Sequence, residues 1–261
     1  MTVSQLQSSG SSSRLQGQVA VITGGASGFG KGIATRFQRE GAKVLITDIS
    51  SEAGEKTAKE IGCGFLKADV TKREDWERIL QLAINAYGGL TTIVNNAGTS
   101  YPNKATETVS TEEYQKTFDV NVLSIFLSTS VLVPYFLETK TQGCFITIGS
   151  TGGIRPRPGL VWYNSSKAAA MHATKNMALE YGSRGIRFNS VCPIFCGSTG
   201  LSSTFMGMEA NDDNRKQFSS VIPLGREATP EDVASSCLYL ASEDGQFING
   251  TDLVVDGGRC V

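Results

Sequence analysis

Short apolar strands alternate with amphipathic helices along most of this 261-residue chain. Helices are predicted between the strands, including a long one over residues 111–137 and another that carries Tyr163 and ends near Ser183. Strands in this order pair in parallel, and the connecting helices cover both faces of the sheet. The sequence therefore predicts an α/β fold with a doubly wound parallel sheet. Its strands are predicted at residues 18–23, 43–47, 65–68, 90–94, 144–148, 186–191 and 252–255.

The chain is expected to hold one folded domain behind a short tail. Residues 1–14 are rich in Ser, lack acidic residues and lack the apolar core of a secretory signal, which favours a disordered tail. A transit peptide is the alternative, although Arg14 is the sole basic residue of this segment. Residues 15–261 have a length that suits a single domain, and no linker interrupts them.

Charge and composition exclude several classes of partner. The formal net charge is −1, so nothing favours binding to nucleic acid or to an anionic membrane surface. No uninterrupted apolar run approaches the ~20 residues of a membrane span. His172 is the sole histidine, which excludes a His-rich metal site, and no metal is expected. The 6 scattered cysteines favour free thiols in the reducing cytoplasm over a zinc site or a disulfide, in spite of the C-x3-C spacing of Cys192 and Cys196.

A glycine-rich loop joins the first predicted strand to the first predicted helix. In such a loop Gly24 permits a tight turn, Gly28 lets the backbone approach a pyrophosphate, and Gly30 lets the helix pack on the strand. The start of the helix presents free N–H groups and a partial positive charge to phosphates. The loop therefore predicts a Rossmann-type dinucleotide site, with an ordinary turn as the alternative. The expected cofactor contacts are Gly24, Ser27, Gly28, Phe29 and Gly30.

Asp48 stands at the end of the second predicted strand, where an acid accepts hydrogen bonds from the adenosine ribose hydroxyls. A 2′-phosphate at this place would meet like charge. No Arg or Lys lies beside Asp48, because Lys43 is at the far end of the strand. The sequence predicts NAD rather than NADP, and the alternative is an acid that only caps the next helix.

Tyr163 and Lys167 are four residues apart, which makes them neighbours on one face of a helix. A lysine cation in that position is expected to lower the pKa of the phenol from its reference value near ~10. A proton donor tuned in this way suits general acid–base chemistry near neutral pH. On its own the pair is a weak signal, because the same spacing occurs on many solvated helices.

Together with other short motifs, these residues resemble the short-chain dehydrogenase/reductase (SDR) family from residue 16 to the end of the chain. Each motif is short, but their joint order and spacing are specific. Besides the glycine-rich loop and the Tyr-x3-Lys pair, they are Asp69-Val70, Asn95-Asn96-Ala97-Gly98, Asn121, Ser150, the segment Asn-Ser-Val-Cys-Pro that ends at Pro193, and Val-Asp-Gly-Gly at 255–258.

The resemblance implies a role for each of four residues in catalysis. Tyr163 would act as general acid or base on the substrate oxygen, and Lys167 would lower its pKa and bind the nicotinamide ribose. Ser150 would bind and polarise the substrate oxygen, and Asn121 would hold a water in a proton relay. Taken singly, Ser150 also fits a turn at a strand end, and Asn121 fits a buried structural amide.

The resemblance also implies the remaining cofactor contacts. Asp69 would bind the exocyclic amine of adenine beside Val70, and Gly98 would permit close approach of the backbone. The loop of Asn95 and Ala97 would line the adenosine side. Tyr163, Lys167, Pro193, Ile194 and Thr199 would surround the nicotinamide.

The chain departs from the family pattern near the nicotinamide. Ile194 follows Pro193 where the family usually has Gly, so the Ile194 backbone would bind the carboxamide while its side chain narrows the pocket. The family's carboxamide-binding Thr corresponds in position to Ser198. Thr199 is one residue later and is favoured, with Ser198 as the alternative.

The resemblance implies an NAD(H)-dependent oxidoreductase that interconverts a secondary alcohol and a ketone by hydride transfer. The substrate would be an apolar small molecule, and the assembly a homotetramer. A protein of another class on the same scaffold is the alternative, either a non-redox cyclase or isomerase or an NAD-sensing binding protein.

Two segments near the expected substrate site have two interpretations each. Arg155 and Arg157 are either solvated charges beside prolines or contacts for an acidic substrate group. The segment after Thr199, which includes Phe205, either closes over the substrate as a lid or packs under a surface helix.

Overall fold

All seven strands of the structure, a computed structural model, belong to one sheet. The structure describes residues 13–197, 204–205, 211 and 219–261, and statements about its elements refer to those residues. The strands are β1 (Val19–Thr23), β2 (Lys43–Asp48), β3 (Gly64–Lys67), β4 (Thr92–Asn95), β5 (Gly143–Ile148), β6 (Ile186–Pro193) and β7 (Asp252–Val255).

Helices connect successive strands and cover the sheet. They are α1 (Gly28–Arg39), α2 (Ser51–Ile61), α3 (Arg73–Tyr87), α4 (Thr111–Phe118), α5 (Ser124–Thr139), α6 (Val161–Tyr181) and α7 (Pro230–Ala241). Their ends follow the sequence chemistry. For example, Thr229 and Asp232 form a capping box at the start of α7, and Gly62 closes α2 in a left-handed conformation.

The strand order is β3-β2-β1-β4-β5-β6-β7, and every pairing is parallel. The chain runs outward from β1 in one direction, then returns and runs outward from β4 in the other. The order therefore reverses between β1 and β4. In open α/β sheets a ligand binds at such a point, outside the carboxyl ends of the strands.

Both faces of the sheet are buried, as the continuous apolar strands predict. In β1, Ala20 and Ile22 pack into one core cluster with α1 and α7, whereas Val21 packs into the other cluster with α3 and α5. Because side chains alternate along a strand, an unbroken apolar strand needs cover on both sides. The doubly wound arrangement supplies this cover.

The helix predicted over residues 111–137 is not continuous. Residues Asp119–Leu123 form a π-helical segment between α4 and α5. A π segment holds one more residue per turn than an α-helix and often marks a functional position. The sequence pattern does not predict this, since the segment contains no Gly or Pro that would mark a break in the helix. The segment carries Asn121.

The stretch Thr111–Thr139 is also long and apolar enough, by length and composition alone, to cross a membrane. Short polar side chains interrupt it, which is why no uninterrupted apolar run stands out in the sequence. Half of its most apolar window is buried inside the domain. Leu132 and Phe136, for example, are at most 1 % exposed in the core cluster with α3. The core helix of a domain meets the same criterion, so the indication is weak.

The predicted strand boundaries hold to within about two residues, and two of the shifts in the structure have a clear physical cause. The fourth strand begins at Thr92 rather than residue 90, because Leu90 turns into the core and Thr91 bonds to Val19 through its backbone and side chain. At the N-terminus, Arg14 donates to Ser242 and pairs with Asp244. The folded part therefore includes Ser13 and Arg14, whereas residues 1–12 lie outside the described part.

Candidate active site

The glycine-rich loop forms a tight turn at the carboxyl end of β1 and leads directly into α1. Gly24 and Gly28 have φ values of +62° and +54°, a region that side chains disfavour. Ser27 precedes α1 but makes no side-chain cap, and the first turn of the helix holds no acid. The N–H groups at the start of α1 are therefore suited to an anion such as a phosphate.

Gly30 is required by close packing inside the loop. A Cβ atom at Gly30 would lie 2.2 Å from the Gly24 carbonyl oxygen and 2.6 Å from Asn96 Nδ2. Asn96 Nδ2 in turn donates to the carbonyl oxygens of Thr23 at 2.7 Å and Gly24 at 3.1 Å. Gly30 thus keeps the turn compact, and Asn96 holds the turn against the end of β4.

Asn95 is predicted to belong to the loop that lines the adenosine side, and the structure places it elsewhere. It belongs to β4, is 5 % exposed and lines neither of the two cavities at this edge of the sheet, whereas Asn96, Ala97 and Gly98 do line them. A motif of two adjacent Asn residues does not show which of the two side chains lines the cavity and contacts the glycine-rich loop. The register of β4 decides it, since Asn95 still pairs with Thr147 of β5.

Asp48 ends β2 and lines both cavities. Its carboxylate accepts hydrogen bonds from the backbone N–H of Ala26 at 3.2 Å and of Ser50 at 3.1 Å. These bonds fix the carboxylate beside the glycine-rich loop. Ser50, rather than Asp48, caps α2 by accepting from Ala53, so Asp48 is not the cap of that helix.

A second cavity extends from Asp48 along the edge of the sheet. Asp69 and Val70 line it together with Ala97 and Gly98, as the sequence motifs predict. The Asp69 carboxylate accepts from the backbone and hydroxyl of Thr71 at 2.9 and 2.7 Å, which fixes its orientation.

Ser150 and Tyr163 meet on the wall of the first cavity. Tyr163 lies in the first turn of α6 and is 5 % exposed. Burial raises the pKa of the phenol to about 12, although a hydrogen bond from Ser150 acts in the opposite direction. Ser150 Oγ also accepts from the Gly152 backbone at 3.0 Å, which orients its hydroxyl.

Lys167 lies one turn after Tyr163 on the same face of α6 and lines the same cavity. Its ammonium donates to the carbonyl oxygen of Ile148 at 2.8 Å, and burial lowers its pKa to about 8. The expectation that Lys167 lowers the phenol pKa is wrong for the protein alone. Burial disfavours charge on both groups, and for Tyr163 this effect outweighs the others.

Asn121 does not line either cavity but lies directly behind the wall. Its side chain accepts from the Thr99 backbone N–H at 2.9 Å and donates to the Thr99 carbonyl oxygen at 2.9 Å and Ser166 Oγ at 3.0 Å. A Cβ atom at Gly98 would be 3.3 Å from Asn121 Oδ1 and 3.2 Å from Lys167 Nζ. Asn121 thus supports the backbone next to Lys167, as a satisfied buried amide.

Pro193 and Ile194 line the cavity at the end of β6. The Ile194 backbone N–H donates to the Val255 carbonyl oxygen of β7 at 3.0 Å. This N–H is therefore engaged in the sheet, so the predicted contact between the Ile194 backbone and the carboxamide would fall to the Ile194 carbonyl oxygen. Ser198 and Thr199 lie outside the described residues.

The first cavity has a volume of about 730 Å³ and runs from Asp48 to the end of the chain. This is within the ~300–1,000 Å³ typical of ligand pockets. Tyr163, Ser150 and Lys167 all line it, and Phe205 packs edge-on against the Tyr163 ring with centroids 4.8 Å apart. Sequence reasoning missed several lining residues, notably Asn164, Phe195, Cys196, Val221, Ile222, Arg259 and Cys260.

Comparison with known proteins agrees with this geometry. A family model described as "Enoyl-(Acyl carrier protein) reductase" matches residues 24–259. The chain belongs to the short-chain dehydrogenase/reductase family. Among solved SDR structures, a 3-ketoacyl-(acyl-carrier-protein) reductase from Brucella melitensis, complexed with NADH, superposes with a TM-score of 0.89. The two chains are 37% identical, and the match covers 95% of this chain and 100% of the other.

Two curated SDR relatives match over almost their full length. A 4-formylbenzenesulfonate dehydrogenase of Comamonas testosteroni is 43% identical, covering 94% of this chain and 98% of the relative. A 2,5-dichloro-2,5-cyclohexadiene-1,4-diol dehydrogenase of Sphingobium indicum is 38% identical, covering 95% and 98%. The predicted family, fold class and enzyme class are confirmed: the protein is a nicotinamide-dependent oxidoreductase that interconverts an alcohol and a carbonyl compound. The non-redox alternative finds no support.

Proposed function

We propose that this SDR enzyme uses NAD(H) and interconverts a secondary alcohol and a ketone built on an apolar, ring-sized body. The observation that carries this proposal is one continuous cavity. Asp48 and the glycine-rich loop stand at one end, and Ser150, Tyr163 and Lys167 stand near its middle. Two ends with different chemistry, joined by one cleft, suit a dinucleotide and a second small molecule.

The choice of NAD(H) over NADP(H) rests on charge at the adenosine end. The carboxylates of Asp48, Asp69, Glu112 and Asp119 line the second cavity, and among its described lining residues Lys116 is the sole cation. The Asp48 carboxylate is fixed by two backbone N–H groups, so it cannot turn away from a 2′-phosphate. The ribose hydroxyls of NAD would instead donate to it.

Tyr163 is proposed to transfer the proton. The bound nicotinamide supplies or accepts the hydride, and the protein moves a proton at the substrate oxygen. Since burial raises the pKa of Tyr163 to about 12, its phenol stays protonated at neutral pH and is ready to donate during ketone reduction. Ser150 is proposed to donate a hydrogen bond to the same oxygen, and Lys167 to bind the nicotinamide ribose.

An apolar, ring-sized substrate fits the walls around Tyr163. Leu160, Ile194, Phe195, Phe205 and Ile222 line this part of the cavity. The Phe205 ring against Tyr163 favours the interpretation of its segment as substrate cover over plain surface packing. In support, the two relatives act, by name, on six-membered carbocycles.

Absorbance at 340 nm across a panel of cyclic and aryl ketones and alcohols tests the function. We expect NADH consumption with ketones and NADH formation with alcohols. With the best substrate, kcat/KM for NADH should exceed that for NADPH by at least about tenfold, and Asp48→Ser should reduce this preference. Comparable efficiency with both cofactors, or a preference for NADPH, would contradict the choice of NAD(H).

A homotetramer in the cytoplasm completes the proposal. Exposed apolar side chains on helices and near the last strand, such as Phe126, Leu179 and Phe247, support burial against other copies of the chain. No disulfide joins any of the 6 cysteines, all of which lie in the described part of the chain, and this suits a reducing compartment. Light scattering coupled to size exclusion would give about four times the 27.8 kDa chain mass. A monomeric mass would contradict the assembly.

A further inference from the structure

Three arginines line the end of the cavity beyond Tyr163, namely Arg155, Arg157 and Arg259. Lys167 adds a fourth cation near the middle. Among the lining residues that the structure describes, Asp48 is the sole carboxylate, and it stands at the adenosine end. The substrate end therefore has an excess of positive charge inside a partly enclosed cleft, which strengthens its field.

Arg155 holds the last turn of the chain against the loop that follows β5. Its backbone N–H donates to the Thr151 carbonyl oxygen at 2.7 Å, and its guanidinium donates to the Arg259 carbonyl oxygen at 2.7 Å. The Asp256 carboxylate further accepts from the backbone N–H of Cys260 at 2.6 Å. These bonds fix the backbone of Arg259 at the rim of the cavity.

The backbone of Arg157 is fixed by a side chain of α6. Its carbonyl oxygen accepts from Asn164 Nδ2 at 2.9 Å, and Asn164 is the neighbour of Tyr163 on α6. Burial and the positive charge of Arg259 lower the pKa of the Arg157 guanidinium. Two guanidinium groups that repel each other across a cavity rim would both be stabilised by an anion held between them.

We propose that the substrate carries a carboxylate or sulfonate group, bound by Arg157 and Arg259 while its carbonyl or alcohol carbon lies at Tyr163. This proposal rests on the proposed function and narrows its substrate class. Planar guanidinium groups match both oxyanions through paired hydrogen bonds. The substrate is thus an apolar ring with an oxidisable or reducible group at one end and an acid at the other. Arg155 acts as a positioning residue.

A binding measurement tests the site without any turnover. Calorimetry on the NADH-loaded enzyme would compare benzoate and benzenesulfonate with their neutral counterparts, benzamide and benzenesulfonamide. We expect the anions to bind at least about tenfold more tightly than the amides. The double variant Arg157→Gln/Arg259→Gln should lose this difference. Arg155 bonds to the backbone of Arg259, so that contact survives the substitution.

Arg39→Gln is the matched control, because Arg39 is exposed in the last turn of α1 and lines neither cavity. It removes one positive charge, as each single Gln variant does, and should leave all four affinities within about twofold of wild type. Circular dichroism and NADH affinity verify folding of each variant. Should the double variant not fold, each single Gln variant carries the same test.

Kinetics supply the second readout. For reduction of 4-acetylbenzoate, the double variant should lower kcat/KM by about 10- to 100-fold, with acetophenone changed less than about twofold. Equal binding of anions and amides to the wild type, or an anion preference that survives in the double variant, overturns the anion site. If no ketone is reduced at all, the proposed function fails, and the calorimetry still decides the anion site.

Discussion

The ammonium of Lys167 donates a hydrogen bond to the carbonyl oxygen of Ile148, 2.8 Å away, at the end of β5. This bond ties the proposed catalytic lysine to the sheet rather than to the Tyr163 hydroxyl. Burial is therefore the main influence on the pKa of each group. It lowers the pKa of Lys167 to about 8 and raises the pKa of Tyr163 to about 12.

The two reaction directions should respond oppositely to pH. Ketone reduction consumes the phenol proton of Tyr163, which stays bound far below pH 12, so kcat/KM should be level from about pH 6 to 7.5. Above about pH 8 Lys167 loses its charge and the rate should decline. Alcohol oxidation needs the phenolate, whose fraction rises about tenfold per pH unit below the pKa. Rate profiles at constant ionic strength check this. Reduction that falls across pH 6–7 would show a phenol far more acidic than burial allows.

Replacing Tyr163 with Phe should abolish turnover by removing the proton donor. We expect kcat to fall by about 10²–10⁴-fold with NADH affinity within about twofold, since a proton transfer contributes that much. Stopped-flow absorbance and NADH titration measure the two quantities. Tyr239→Phe, at an exposed position on α7, should behave as wild type. Wild-type activity in Tyr163→Phe would refute the assigned proton transfer.

Asn121→Ala should destabilise the fold more than a typical amide deletion. It removes the partner of both backbone groups of Thr99 and the bond that the Ser166 hydroxyl accepts, at a cost of about 2–3 kcal/mol, while Ser166 keeps its bond to the Tyr163 carbonyl oxygen. Urea denaturation measures this as a lower midpoint with an unchanged slope. Asn176→Ala removes an exposed side chain with one bond to His172 and should cost less than about 0.5 kcal/mol. Equal midpoints for the two variants would mean that the Asn121 bonds contribute little.

Gly30→Ala should weaken cofactor binding through the shape of the loop. The added Cβ would lie 2.2 Å from the Gly24 carbonyl oxygen, so the turn must open. We expect NADH affinity to drop by more than about tenfold in a fluorescence titration. Gly62→Ala is the control, because Gly62 has φ +78° but open space around it. It should cost about 1–2 kcal/mol of stability yet leave NADH affinity unchanged. A Gly30→Ala variant with normal affinity would argue against the close approach.

Local sequence patterns predict the fold and the middle of the site. The glycine-rich loop, Asp48 and the Tyr163–Lys167 pair each lie on one element or at its end, so spacing along the chain determines their neighbours. Parallel strands then bring those ends to one edge of the sheet, as the strand order confirms. The fold required only the periods of helix and strand, whereas the roles of these residues also required the resemblance carried by the joint motifs.

The rest depends on contacts between distant segments. Arg259 reaches the cavity because Arg155 bonds to its carbonyl oxygen from a loop far away in the chain. Asn96 rather than Asn95 contacts the glycine-rich loop, because Asn95 still pairs with β5 in the strand register. The direction of the Tyr163 pKa shift follows from burial, which the pair spacing alone does not contain. Composition and spacing carry none of this information.

The π-helical segment Asp119–Leu123 also bears on how such a chain tolerates change. It takes up one residue beyond an ordinary helical turn. The helices α4 and α5 can therefore each keep the rotation about the helix axis that their own packing requires. Loss of a single residue there would close the wide turn into a regular α-helix and leave the apolar face of α5 on the sheet, whereas loss of a residue inside α5 would rotate one part of that helix against the other by about 100°. A one-residue change in chain length should therefore be tolerated more readily at this point than inside α5.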